Sequence, residues 1–166
     1  MIKAVEIKLS EIKGLEEFAS EIWHEYWNGV LSVGQINYML NKFQSEEAMI
    51  NLANSENYHY FYLMYENQKA GYMALSKKED YLFLSKIYMK KEYRHKGIGT
   101  KAFDFIKQYS IENNLNKIRL TVKKDNKNSV NAYLKWGFRT VDSVVTDIGN
   151  GFVMDDYIME YQITPK

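Results

Sequence analysis

The chain has 166 residues, 46% hydrophobic and 26% charged, a balance that suits one soluble globular domain with a real core. A formal net charge of +1 gives no global electrostatic case for nucleic acid or membrane, so any anion site must be local. Cysteine is absent, which excludes disulfides and thiolate chemistry and fits a reducing compartment.

The opening "MIKAVEIKLSEIKG" has no apolar core of signal length, and charges interrupt every hydrophobic run. The expected location is cytoplasmic, without a membrane span. "AVEIKL" (4–9) alternates and predicts a first strand. In residues 10–28, Ile12, Leu15, Phe18, Ala19, Ile22, Trp23 and Tyr26 fall on one helical face, with Ser10 as the expected N-cap. Ser32-x-x-Gln35 has the capping-box pattern and opens a second helix to about Phe43. A third short helix is expected over 45–55.

The period then changes. Residues 58–66, 70–78 and 81–89 are rich in β-formers, with "NQK" and "KED" between them, and predict a three-stranded antiparallel meander. From Gly97 to about residue 114, Ile98, Ala102, Phe105, Ile106 and Tyr109 share a helical face. "KIRLTVK" (117–123) reads as a strand, and 128–136 as a helix stopped by Gly137. The last two segments flank "GNG" (149–151) as a closing hairpin. No linker, repeat or low-complexity run appears, and the only proline is Pro165. The expected architecture is a single α/β (α+β) domain over 1–166. Its mixed, mostly antiparallel sheet has about seven strands flanked by helices.

"YMKKEYRHKGIGTKAF" (88–103) joins a strand to a helix. A helix N-terminus offers unpaired N–H groups and partial positive charge, and glycines before it let a ligand approach the backbone. "RHKGIG" therefore reads as an anion cradle suited to phosphate or pyrophosphate, with Arg94 and Lys96 at its rim and a hydroxyl from Thr100. The competing reading is a tight basic turn. A Rossmann site is disfavoured by the spacing, and no Walker loop exists. In "DNKNSVNAYLKWGF" (125–138), Asn126, Ser129 and Tyr133 fall about a turn apart, so one helix face presents an amide, a hydroxyl and a phenol. The competing reading there is an N-capped amphipathic helix with Tyr133 in the core. His24, His59 and His95 show no metal-ligand spacing, and no metal is expected.

With both motifs in hand, the chain resembles the GCN5-related N-acetyltransferases (GNAT superfamily), which move an acetyl group from acetyl-coenzyme A to an amine. Arg94, Gly97 and Gly99 fill the family's (Gln/Arg)-x-x-Gly-x-(Gly/Ala) loop. Asn126, Ser129, Tyr133, Gly137 and Phe138 match its later N-x-x-(Ala/Ser)-x-x-x-Y-x-x-x-G-F motif. The two motifs cover roughly residues 81–140. The resemblance implies acetyl-CoA as cofactor, held by the strand Ile87, Tyr88 and Met89, the backbone of His95, Lys96, Gly97, Ile98, Gly99 and Thr100, and Asn126 and Ser129. It implies Tyr133 as the acid that protonates the departing thiolate. Many members carry a glutamate on the strand before the loop as general base. Here Ser85 stands at the aligned position, which leaves the base open among His24, Glu25, Asp155, Asp156 and solvent.

The resemblance places the acceptor cleft between the first helices and the last hairpin. Aromatic faces and carboxylates there suit a cationic amine. Trp23, Tyr26, Ser85 and Asp155 are the expected acceptor contacts, with Trp27, Tyr38, Glu25 and Asp156 nearby in sequence. Core packing is the competing reading for Trp23 and Tyr26. The expected function is acetyl transfer from acetyl-CoA to a primary amine, either a small amine such as a polyamine or a peptide amine. The alternative is a non-catalytic acyl-CoA sensor of the same fold. No nucleic-acid or membrane partner is expected, and the resemblance is compatible with a homodimer.

Overall fold

A computed structural model describes residues 1–164; Pro165 lies outside them. Seven strands form one mixed sheet in the order β1-β2-β3-β4-β5-β7-β6. In chain order the elements are β1 (Ile2–Glu6), α1 (Ile12–Tyr26), α2 (Val33–Phe43), α3 (Glu46–Ser55), β2 (Tyr58–Tyr65), β3 (Gln68–Lys77) and β4 (Leu82–Met89). Then come α4 (Ile98–Glu112), β5 (Lys117–Lys123), α5 (Lys127–Trp136), β6 (Arg139–Gly149) and β7 (Phe152–Gln162). β4 and β5 run parallel, whereas β1–β2, β2–β3, β5–β7 and β6–β7 are antiparallel. The chain divides into two compact units, Met1–Ser76 with Lys86–Phe105, and Lys77–Ser85 with Ile106–Lys166.

In the first unit β3 is central and buried over most of its length. Its helix-bearing face carries a buried polar chain: Trp23 Nε1 donates to the Tyr72 hydroxyl at 2.7 Å, which donates to Gln44 Oε1 at 3.0 Å. This chain ties α1 and the end of α2 to the sheet with each donor satisfied, as burial requires. On the other face Phe61 packs edge-on against Phe105 of α4 at 5.4 Å. In the second unit Ile118, Leu120 and Met159 are fully buried. Arg119 Nε bonds Glu160 Oε2 at 2.7 Å across β5 and β7.

Several boundaries differ from the sequence reading, each for a local reason. β1 occupies Ile2–Glu6 rather than 4–9, because the chain bends into a 3-10 turn at Leu9–Glu11. Ser10 lies inside that turn and does not cap α1, whose N-cap Glu11 makes no side-chain bond. Ser32 and Ser45 do cap α2 and α3, accepting from Gln35 N at 3.1 Å and Ala48 N at 3.2 Å. The β2–β3 turn is only Glu66–Asn67, both at positive φ (48° and 65°), so Gln68 already pairs with Tyr65.

Gly71 is required by contact. A Cβ there would stand 2.2 Å from the Tyr88 carbonyl oxygen and 2.9 Å from Met89 Sδ. Gly71→Ala must push β3 and β4 apart, and a stability loss of about 2 kcal/mol or more is expected in urea unfolding.

Candidate active site

The strand–loop–helix junction of the first unit is built around its backbone. After β4 the chain makes a 3-10 turn at Lys91–Tyr93, then passes through His95 (φ 63°) and Gly97 (φ 77°) into α4. Ile98 is 1% exposed and plugs the start of the helix into the core. The first bond of the α4 ladder runs from Lys101 N to the Gly97 carbonyl at 3.2 Å. The N–H groups of Ile98, Gly99 and Thr100 precede that ladder and have no intrahelical acceptor. No atom lies within 4 Å of where a Gly97 Cβ would stand. Open space, a left-handed turn and several free N–H groups at a helix start make a cradle that fits a phosphate or pyrophosphate.

The basic residues around this cradle divide. Lys96 is exposed and lies 5.9 Å from the Tyr65 ring. Arg94 turns inward: Nη2 donates to the Met89 carbonyl at 3.3 Å, and the guanidinium stacks over Tyr26 at 5.2 Å. Glu25 meets the same turn. Its Oε1 accepts from Lys91 N at 2.6 Å and stands 3.8 Å from Arg94 Nη2. Glu25 thus fastens the end of α1 to the turn ahead of the cradle, and it is already engaged as an acceptor.

Trp23, Tyr26 and Trp27 all meet Tyr88 of β4, with ring centroids 5.5, 5.2 and 6.4 Å away. Trp23 is buried and bonded to Tyr72, so its contribution is packing; Tyr26 is half-buried. Tyr38 is occupied with Lys42, whose Nζ lies 5.7 Å from its ring. Lys86 lies on the Tyr88 side of β4, with its ammonium 5.7 Å from the Tyr58 ring, and desolvation lowers its pKa to about 8. Strand alternation sends the half-buried Ser85 side chain to the opposite side from Lys86 and Tyr88. The ring of Tyr88 and the amine of Lys86 escaped the sequence reading, although period-2 alternation along β4 pairs them. The parallel ladder of β4 with β5 covers Leu82–Leu84 against Ile118–Leu120 and no further among the described residues.

In the second unit the Asn126 side chain accepts from Ser129 N at 3.3 Å and caps α5. At the other end Phe138 N bonds the Tyr133 carbonyl at 3.0 Å and Gly137 N bonds the Leu134 carbonyl at 3.1 Å, a Schellman motif. Gly137 sits at φ 102°, and a Cβ there would stand 3.0 Å from Tyr161 Cε2. The Tyr133 ring packs at 5.7 Å from Phe138 and 5.6 Å from Trp136. The Y-x-x-x-G-F spacing is therefore a capping device that pins the tyrosine. No side chain of α5 is fully buried, so Tyr133 is a half-exposed phenol and not a core residue.

Asp155 is exposed and pairs with Lys124 at 2.9 Å. Asp156, its neighbour on β7, is 5% exposed, and burial raises its carboxyl above the usual carboxylate range against the opposing pull of Lys123. Among the described residues no group of three or more His, Cys, Asp or Glu could hold a metal, and no helix is long and apolar enough to cross a membrane.

The profile of the acetyltransferase (GNAT) family matches residues 17–138. The chain belongs to that family. It is similar to a spermidine N(1)-acetyltransferase of Thermoplasma acidophilum, 26% identical over 159 residues, covering 92% of this chain and 96% of the relative. Among solved structures it is similar to the PaiA N-acetyltransferase of T. acidophilum in complex with coenzyme A, with a TM-score of 0.80 at 23% identity over 98% and 99% of the two chains. Ard1 of Thermoplasma volcanium has a TM-score of 0.72 at 15% identity over 99% of each chain.

Proposed function

We propose that the protein transfers an acetyl group from acetyl-CoA to a primary amine by direct attack, without a covalent enzyme intermediate. The observation that carries this is the open, left-handed Gly97 turn at the start of α4. Acetyl-CoA supplies the acetyl group as an activated thioester. The N–H groups from His95 to Thr100 hold its pyrophosphate, with Lys96 adding charge at the rim. Backbone groups of Ile87, Tyr88 and Met89 pair with the pantetheine amides, and the strand N–H near Met89 stabilises charge on the acetyl oxygen. Arg94 serves by holding the turn rather than by touching phosphate, since its guanidinium is engaged with Met89, Tyr26 and Glu25. Asn126 and Ser129 shape the start of α5 toward the pantetheine. Tyr133 gives its phenolic proton to the departing sulfur.

The acceptor is a small cationic amine, and similarity to a spermidine N(1)-acetyltransferase supports polyamines as the first candidates. Tyr26 and Tyr88 offer aromatic faces toward it, and Trp23 positions them. Ser85 and Asp155 are weaker acceptor contacts, one by strand alternation and the other because Lys124 already holds it. The proposed working compartment is the cytoplasm. The test is to incubate protein and acetyl-CoA with spermidine, spermine, aminoglycosides, amino acids and short peptides, and to identify acetylated products by mass spectrometry. Acetylated polyamine is expected; a product only among peptides would move the acceptor to protein N-termini.

A further inference from the structure

Resting on that acetyltransferase reading, we infer that Asp156 is the catalytic base that takes the proton from the acceptor's ammonium group. Asp156 is 5% exposed as a residue, yet its carboxylate makes no hydrogen bond and no ion pair among the described residues. The neighbouring lysines act on it only through their field, and their ammonium groups pair with other carboxylates. Lys123, opposite it in the β5–β7 register, reaches Asp125 at 3.3 Å, and Lys124 pairs with Asp155 at 2.9 Å. On β6 its register partner is the apolar Val144, with Asp142 two positions along the same face. A carboxylate so little exposed, with no donor of the protein on it, is open to a ligand able to donate.

The position suits the chemistry. Tyr161, which packs against Phe138 at 5.6 Å, differs from Asp156 by an odd number of residues along β7. Strand alternation therefore sends Asp156 to the face away from the α5 cap that pins Tyr133. The incoming nitrogen and the outgoing sulfur are different substituents of the tetrahedral acetyl carbon, so separate groups on separate faces can handle their protons. An ammonium carries three N–H protons and the amide product one. Asp156 takes one and passes it to solvent. The other returns, through solvent, the proton that Tyr133 gives to sulfur. The nitrogen lone pair forms the C–N bond as the C–S bond breaks. Desolvation also moves the Asp156 carboxyl toward neutral pH, where a base works best.

The test is Asp156→Asn, compared with wild type using acetyl-CoA and the amine that wild type acetylates. The variant should bind acetyl-CoA within about twofold of wild type by calorimetry and lose about a hundredfold or more in kcat/KM at pH 7. Its rate should rise about tenfold per pH unit, following free amine alone, while wild type keeps the limb set by Asp156, whose charged neighbours are Lys123, Lys124, Asp155 and Asp142. Folding is checked independently. A carboxyl whose pKa is higher folded than unfolded destabilises the fold increasingly as pH rises through that interval. Asp156→Asn should therefore melt above wild type at pH 7, with the gap closing in acid. Near-wild-type kcat/KM in a variant that binds acetyl-CoA would overturn the assignment of Asp156 alone. Wild type that binds no acetyl-CoA would overturn the acetyltransferase reading beneath it.

Discussion

Gly97→Glu is expected to abolish acetyl-CoA binding in a protein that still folds. The site tolerates a side chain sterically, because nothing lies within 4 Å of the Cβ position. The backbone cost of a non-glycine residue at φ 77° is about 1–2 kcal/mol, which a domain of this size can absorb. What the variant cannot absorb is a carboxylate among the N–H groups of Ile98, Gly99 and Thr100, where a pyrophosphate belongs. An affinity loss of about a hundredfold or more, roughly 2.7 kcal/mol, should appear in calorimetry. Gly97→Ala carries the same backbone strain without the charge and should keep most of the affinity. Equal losses in the two variants would make the loop a conformational element only, and unchanged binding in Gly97→Glu would remove the cradle.

Tyr133→Phe is expected to separate binding from chemistry. The phenol leaves, while the ring contacts with Trp136 and Phe138 and the Schellman bonds survive. Acetyl-CoA affinity should stay within about twofold, and kcat should fall by roughly ten- to a thousand-fold, the range for losing a general acid. Full activity would take Tyr133 out of the mechanism. A collapse in affinity would make it a binding residue instead.

The legible parts of the molecule were those in which local chemistry dictates geometry. β5 lies at Lys117–Lys123 as its alternation predicts, and Gly137 ends α5 because only a glycine fits its turn. The Gly97 turn and the Ser32 cap follow from the same kind of local rule. What could not be read depends on tertiary neighbours. Ser10 has the right chemistry for a cap, but a 3-10 turn preceding α1 places it one residue before the N-cap, Glu11. Glu25 looks like a free carboxylate in "WHEYW", and only the fold brings it to Lys91 N. Alternation says that Asp155 and Asp156 point to opposite faces, but not which face is buried. That is decided by what covers each face of the sheet, and here Asp156 is buried and Asp155 exposed.

The most direct test of the account is release of free coenzyme A thiol from acetyl-CoA by the purified protein, with and without spermidine. The protein contains no cysteine, so a thiol reagent reports coenzyme A alone. The account predicts amine-dependent release that is lost in Gly97→Glu. Release independent of any amine, or none with any primary amine offered, would contradict it.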